Sequence, residues 1–184
     1  MALAYGTDEW LEEYNKLVEE GLASGPPFIL GLPEWVSTYE KLVQGDETYK
    51  EVAKTWEGSV VLHILAKPEI GIERDIYVFM DLWHGEANYF RLVPPEVGEA
   101  GAFVITGEYE RWKQVIKKEL DTVKGMMQGK LKLKGDLPTI VRAVKAAVRL
   151  VELSATIDTA FEDEDSEIPP KVHDLLAKAE NLGI

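Results

Sequence analysis

The residues that most often catalyse reactions or bind metals are sparse in this chain. Its 184 residues contain three histidines and no cysteine, which excludes thiolate metal sites and cysteine nucleophiles. His63 falls in a predicted strand, His84 beside a predicted turn and His173 in a predicted C-terminal helix, and their spacing matches no known metal motif. No glycine-rich phosphate loop is present either. The pattern therefore predicts no metal site, no cofactor and no catalytic residue.

A short stretch in the middle of the chain keeps an enzyme as a third hypothesis. Asp81 lies within a predicted strand, where it either pairs with Arg91 across the hairpin or is a surface charge. His84 lies beside Trp83, although a solvated turn residue is the favoured interpretation, as a hydrogen-bonded strand residue is for His63. A small enzyme would use His84, Asp81 or Glu86 on a hydrophobic substrate.

The charge of the chain argues against nucleic acid as a partner. With 33 acidic and 20 basic residues the formal charge is −13, so nucleic acid and anionic membrane surfaces repel the chain on average. No apolar run approaches the roughly 20 residues that span a bilayer. The first ten residues lack the basic and apolar blocks of a secretory signal. We therefore expect a soluble, cytoplasmic protein.

The most distinctive apolar residues lie in residues 125–136, whose sequence is GMMQGKLKLKGD. Two adjacent methionines, flexible side chains that adapt to varied apolar partners, precede a segment in which lysine alternates with leucine. The alternation predicts a strand over residues 130–134 with one cationic and one aliphatic face. A predicted helix follows, with an apolar stripe that covers the aliphatic face. The arrangement is either a filled core or an apolar pocket.

Hydrophobic periodicity and turn residues divide the chain into helices and strands. The predicted helices are residues 7–23, 33–44, 46–55, 109–120, 122–128 and 137–157, with a short one that begins at Pro169. The predicted strands are residues 59–66, 74–83, 87–93, 102–106 and 130–134. The first three strands form an antiparallel meander. A helical crossover between the last two can join parallel strands, so the sheet is predicted to be mixed.

The elements group into three parts of the chain. Residues 1–57 are predicted to form a helical layer that packs on the same domain, and residues 58–157 contain all five strands and the closing helix. Residues 158–168 carry six acids and no base, so we expect a linker or flexible loop there. Residues 158–184 then comprise this acidic segment and a terminal amphipathic helix.

Residues 101–157 resemble the sterol carrier protein type-two family of lipid-binding domains. Family members have a strand, an aromatic-containing helix, a short helix that ends in an apolar pair and a glycine, a G-K-hydrophobic-x-hydrophobic-x-G-D/N strand, and a closing helix. The corresponding pieces here are AFVITGEYERW, DTVKGMMQGKLKLKGD and the helix from Leu137. The order of elements agrees over residues 58–157, and residues 122–136 are the specific part. The N-terminal helices, the longer closing helix and the acidic C-terminal part depart from the family pattern.

The resemblance implies an α+β fold in which a five-stranded mixed sheet packs against helices around an apolar tunnel. It also implies non-catalytic binding of sterols, fatty acids or fatty acyl thioesters, and their transfer in the cell with transient membrane contact. By position it assigns ligand contacts to an apolar pair, two strand leucines and the inner face of the closing helix. Those predicted contacts are Met126, Met127, Leu131, Leu133, Ile140, Val141 and Val144, and strand alternation adds Phe103 and Ile105.

One further hypothesis uses the same fold with a filled core. In it the chain is an accessory or dimerisation module that assists a partner enzyme. The helices that carry Trp10, Trp35 and Trp56 would then supply a protein-binding or homodimer surface.

Overall fold

The computed structural model describes residues 2–184, in which most strands belong to a single sheet. The strands are β1 (Phe28–Ile29), β2 (Val60–Ile64), β3 (Ile76–Trp83), β4 (Glu86–Leu92), β5 (Phe103–Gly107), β6 (Lys132–Lys134) and β7 (Thr159–Ala160). Five of them form a sheet in the order β4-β3-β2-β5-β6, and β1 pairs with β7 in a separate parallel ribbon. The predicted α+β fold with a five-stranded sheet is confirmed.

The helices lie before, between and after the strands of the large sheet. They are α1 (Asp8–Ala23), α2 (Pro33–Gln44), α3 (Glu47–Val52), α4 (Pro95–Glu99), α5 (Tyr109–Ile116), α6 (Thr122–Met127), α7 (Leu137–Arg142), α8 (Val144–Ala155) and α9 (Ile168–Lys178). Side-chain caps define several of the starts. The Thr7 hydroxyl accepts from the Trp10 N–H at the start of α1, and the Asp136 carboxylate accepts from the Thr139 N–H at the start of α7.

The sheet is mixed, but its parallel pair differs from the predicted one. Strands β5 and β6, which the helical crossover was expected to make parallel, are antiparallel. The parallel pair is β2 with β5. Strand β3 pairs with one edge of β2, and β4 pairs with β3. The other edge of β2 is therefore available, and β5 pairs with it.

The closing helix is two helices rather than the single one predicted over residues 137–157. Ala143 has φ −103° and ψ 26°, and its N–H bonds to the Ile140 carbonyl in place of the carbonyl four residues back. This tight turn separates α7 from α8. Because the break contains neither glycine nor proline, the apolar periodicity runs through it and gives no sign of it.

Part of the acidic segment, predicted as a linker or flexible loop, packs against the domain, and residues 163–167 are exposed turns. Strand β7 pairs with β1, and the Phe161 and Glu162 side chains are buried. Asp163 and Glu164 form ion pairs with Lys113 of α5 at 2.9 and 2.8 Å. The acids therefore pair with cations from another part of the chain, which the composition of the segment alone does not reveal.

The N-terminal tryptophans are core residues and leave no exposed aromatic surface. Trp10, Trp35 and Trp56 are all buried, Trp10 completely. The Trp10 indole N–H donates to the Leu182 carbonyl at 2.9 Å, which fixes α1 to the C-terminal end of the chain. The surface on which the accessory-module hypothesis depends is therefore occupied by the fold itself.

The hairpin between β3 and β4 holds α3 against the sheet through a glycine. His84 and Gly85 form its two-residue turn with φ of 48° and 83°. A Cβ on Gly85 would lie 2.5 Å from the Lys50 carbonyl oxygen at α3. We expect Gly85→Ala to lower the free energy of unfolding by about 1 to 2 kcal/mol more than Gly25→Ala, because only the former adds a backbone clash.

Gly25 is a matched control for this prediction. It has φ 72° and no atom within 4 Å of an added Cβ, so it isolates the cost of the left-handed conformation. Urea unfolding of both variants measures the difference. Equal destabilisation would contradict a close contact between the hairpin and α3.

Candidate ligand-binding site

An apolar cavity lies between one face of the large sheet and the helices that cover it. Its empty space is about 960 Å³ when the solvent at its opening is included. The strands contribute every second residue, since side chains two apart point to the same face of a sheet. These sheet residues are Val60, Leu62, Ile64, Val78, Met80, Leu82 and Ile105.

The helices complete the cavity with aromatic and small residues. The contribution of α2, α3 and α5 is largely aromatic, with Trp35, Tyr39, Tyr49 and Trp112. Helix α8 and the turn before it contribute small residues spaced three and four apart, so that they share one helix face. These are Ala143, Ala146, Ala147 and Ser154. Because small side chains face large ones across the gap, the space is not filled.

The tryptophan side chains of the lining present carbon to the cavity because their N–H groups bond elsewhere. The indole N–H of Trp35 donates to the Thr159 hydroxyl at 2.9 Å, and that of Trp56 to the Gly58 carbonyl at 2.8 Å. The Trp112 indole N–H donates to the His63 carbonyl at 3.1 Å. The lining is therefore suited to apolar groups, which need no hydrogen-bond partner.

Two tyrosines in the lining stay neutral at physiological pH. Burial raises the pKa of the Tyr39 and Tyr49 hydroxyls far above their ordinary value. The Tyr39 hydroxyl also donates to the Leu150 carbonyl of α8 at 2.8 Å, which links two walls of the cavity. The cavity thus acquires no charge from its own lining.

One fully buried side-chain polar atom of the lining has no partner. The Thr122 hydroxyl at the start of α6 is buried and makes no hydrogen bond to any group in residues 2–184. A buried hydroxyl without a partner is unfavourable, so a ligand oxygen that bonded to it would gain that interaction. This hydroxyl is the position in the lining best suited to a polar group of a ligand.

A second, more polar groove adjoins the cavity between α6 and α8. We call it the side groove, and its empty volume is about 550 Å³ with the solvent at its opening included. Thr122, Ala147 and Val151 line both spaces, so the two are adjacent. Lys118, Asp121 and Glu152 lie in the side groove and make it more polar than the cavity. The apolar cavity and the more polar side groove therefore suit the two ends of an amphiphilic molecule.

An ion pair ties the two helical walls together beside the cavity. Arg149 of α8 donates to both carboxylate oxygens of Asp46 at 2.8 and 2.6 Å, and Asp46 also caps α3. Hydrogen bonding to Arg149 lowers the pKa of the Asp46 carboxyl. The pair thus holds α3, which contributes Tyr49 to the lining, against α8.

Three of the nine predicted ligand contacts line the cavity. Ile105 on β5, Met126 on α6 and Ile140 on α7 all point into it. They come from three separate elements that the fold brings together. Their role as ligand contacts remains a prediction.

Three other predicted residues are packed away from the cavity. Leu131 precedes β6 and is buried between Gly107 and Gly125, because the Gly125 carbonyl accepts from the Lys130 and Leu131 N–H groups and folds the chain back under α6. Phe103 is buried against Trp56. Leu133, on the edge strand, pairs with Ile105 outside the lining.

The remaining three predicted residues lie on the surface. Met127, Val141 and Val144 are 67%, 43% and 40% exposed. Met126 of α6 and Ile140 of α7 point inward, and their neighbours Met127 and Val141 therefore point outward. The adjacent methionines thus have different environments, which adjacency in sequence does not predict.

Sequence reasoning did not identify the aromatic residues of the N-terminal helices or the small residues of α8 as lining. Trp35, Tyr39 and Tyr49 lie outside the segment that carries the family resemblance. For α8 a usable signal exists, since alanines at positions 143, 146 and 147 form a stripe of small side chains inside an apolar helix.

The polar residues weighed as catalytic candidates lie away from the cavity lining. His63 bonds to Thr106 and Asp75 at 2.9 and 2.8 Å and stacks on Tyr77, on the sheet face opposite the cavity. His84 is exposed and bonds to Glu57. Arg91 stacks on a tyrosine ring, so the predicted pairing with Asp81 does not form.

Residues 2–184 contain neither a metal-binding cluster nor a membrane-spanning helix. No three histidine, aspartate or glutamate side chains converge as metal ligands there. No helix in that range has both the length and the apolar character needed to cross a membrane.

Comparison with known proteins identifies the family. The model of the SCP-2 sterol transfer family matches residues 39–147, more than half of the chain. The crystal structure of sterol carrier protein 2 is 31% identical, with a TM-score of 0.62 over 67% of this chain and 95% of that one. A conserved hypothetical protein from Thermus thermophilus is 30% identical, with a TM-score of 0.64 over 71% of this chain and 91% of that one.

No curated protein matches the chain. The matched region begins within α2 and ends within α8, so it includes the whole large sheet and most of the elements that line the cavity. The sequence match, the shared sheet and the agreement with the resemblance noted above lead to one conclusion: the chain belongs to the SCP-2 sterol transfer family.

Proposed function

We propose that the chain is a non-catalytic binding protein that carries an elongated apolar ligand between membranes or to enzymes in the cytoplasm. The ligand is a fatty acid, a fatty acyl thioester or a sterol-like lipid. The observation that carries the proposal is the cavity itself, whose lining is apolar and whose tryptophan N–H groups are bonded elsewhere. A concave, mostly apolar lining with few polar groups is typical of small-molecule sites.

The orientation of the ligand follows from where the polar atoms lie. The apolar chain would occupy the space between β2, β3 and α8, where Leu62, Met80 and Ala146 line the wall. The polar end would lie at Thr122 and extend into the side groove. This orientation leaves no polar ligand atom inside the apolar part of the cavity.

Native mass spectrometry of the purified protein, with displacement of a fluorescent fatty acid, tests the proposal. We expect one bound apolar molecule per chain, and a fluorescent fatty acid that binds saturably and is displaced by unlabelled fatty acid. The physical reason is that transfer of a hydrocarbon chain from water into the cavity removes its apolar surface from water. Absence of both a bound lipid and displacement would contradict the proposal.

A further inference from the structure

The charges of the chain are distributed very unevenly. Residues 111–149 contain eleven of the 20 basic residues and three of the 33 acidic ones, which gives this stretch a formal charge of +8 and the rest of the chain −21. The stretch includes α5 to α7 and the first half of α8. An overall charge of −13 therefore conceals a cationic region.

Some of these bases are neutralised by acids from elsewhere. Lys113 and Lys117 pair with Glu164, and Arg149 pairs with Asp46. Outside β6, five others are exposed and have no acidic group within 4.0 Å in the part of the chain that the structure describes. They are Lys118, Lys124, Lys130, Arg142 and Lys145.

The same helices carry most of the exposed large apolar side chains. Residues 2–184 contain five such side chains, and four of them are Met127, Val141, Val144 and Val148. We call these four residues, together with the five unpaired bases, the α6–α8 face. Helical spacing interleaves the two kinds, since Lys124 lies three residues before Met127 in α6 and Lys145 lies three residues before Val148 in α8. Apolar side chains among long cationic ones are characteristic of surfaces that meet a lipid interface.

The α6–α8 face borders the side groove. Val148 and Lys118 line that groove, and Met127 lies one helical turn after Val123, which lines it as well. Three of the acids nearby are already engaged: Asp121 caps α6, Asp136 caps α7, and Glu152 pairs with Arg149. Glu119 is exposed next to Lys118 and offsets one positive charge of the face. The side groove, which adjoins the apolar cavity, thus lies beside a surface that is both apolar and cationic.

We propose that the α6–α8 face is a docking surface for an anionic lipid bilayer. Charge complementarity selects this occupant, because an anionic surface repels the strongly acidic remainder of the chain and attracts only this region. Docking in this orientation places the side groove against the membrane. The use of that position to load or deliver a ligand rests on the proposed function, whereas the docking itself does not.

Co-sedimentation of the full chain with phosphatidylcholine vesicles, with and without phosphatidylglycerol, tests the docking surface. We expect binding only to the anionic vesicles and its loss at high salt. The double variant Lys124→Glu/Lys145→Glu should weaken that binding at least about tenfold, and Met127→Ser should weaken it several-fold without any change of charge. The matched control is Lys132→Glu/Lys134→Glu on β6, which changes the net charge equally but alters residues outside the α6–α8 face.

Each result either supports or overturns the proposal. Equal losses in the two double variants would show a nonspecific charge effect, and failure of the wild-type chain to bind anionic vesicles would also overturn it. Light scattering that showed a dimer broken by Met127→Ser would identify the face as a contact between copies. Fluorescent fatty acid titration without vesicles separates the two hypotheses: ligand binding without vesicle binding overturns docking alone, and vesicle binding without ligand binding overturns the proposed function alone.

Discussion

Replacement of Ala147 by phenylalanine is expected to weaken binding of a fluorescent fatty acid at least about tenfold, which is about 1.4 kcal/mol of binding free energy. Ala147 lines both the cavity and the side groove, so the added ring would occupy space where the two adjoin. Because that space is empty, the ring displaces few packed atoms. We expect the free energy of unfolding to change by less than about 1.5 kcal/mol. Fluorescence titration and urea unfolding of one preparation measure both quantities.

Ala155→Phe is the matched control for this experiment. Ala155 is the last residue of the same helix and is exposed, so the same chemical change is made outside the cavity. Its affinity for the fatty acid should equal that of the wild type. An Ala147→Phe variant that binds as tightly as the wild type would show that the ligand lies elsewhere. A variant that unfolds would show that the region is packed core.

Glu162→Gln is expected to raise the free energy of unfolding at pH 8 by about 2 to 3 kcal/mol, with little effect at pH 5. Glu162 is 1% exposed, and neither of its carboxylate oxygens has a hydrogen-bond partner in residues 2–184. Burial raises the pKa of its carboxyl from 4.5 to about 7. The backbone N–H of Glu162 donates to the Tyr109 hydroxyl, which holds the residue in place.

The direction of the pH dependence follows from proton binding. Between pH 4.5 and about 7 the folded chain keeps the Glu162 proton that the unfolded chain loses, so the free energy of unfolding falls as the pH rises through this window. Below pH 4.5 both states are protonated and the carboxyl imposes no penalty. Glutamine cannot ionise, and the variant should lack this fall.

Urea unfolding at pH 5 and pH 8 measures the effect, and Glu164→Gln is the control. Ion pairs with Lys113 and Lys117 lower the pKa of the Glu164 carboxyl, so this residue does not titrate between pH 5 and 8. The Glu164→Gln variant should retain the wild-type fall. A Glu162→Gln variant with the same fall would show that the buried carboxyl is not its source.

Local patterns were sufficient for most elements and for the class of fold. The predicted helix over residues 33–44 agrees with α2 at both ends, because Pro33 and Gly45 mark its limits. The strand alternation of Val60, Leu62 and Ile64 is preserved as one face of the cavity. Local patterns did not reveal the break at Ala143, since its cause is not a residue type that disfavours helix.

The sequence by itself determined the family and the five strands of the large sheet. It also showed that apolar residues concentrate in this sheet and in the closing helices, because periodicity and composition are properties of neighbouring residues. Only the tertiary structure decided which apolar side chains face an empty space. Met126 lines the cavity while Met127 is exposed, since the position of α6 against α8 fixes which side points inward. It also decided that part of the acidic segment packs, because its partners Lys113 and Lys117 lie about fifty residues earlier in the chain.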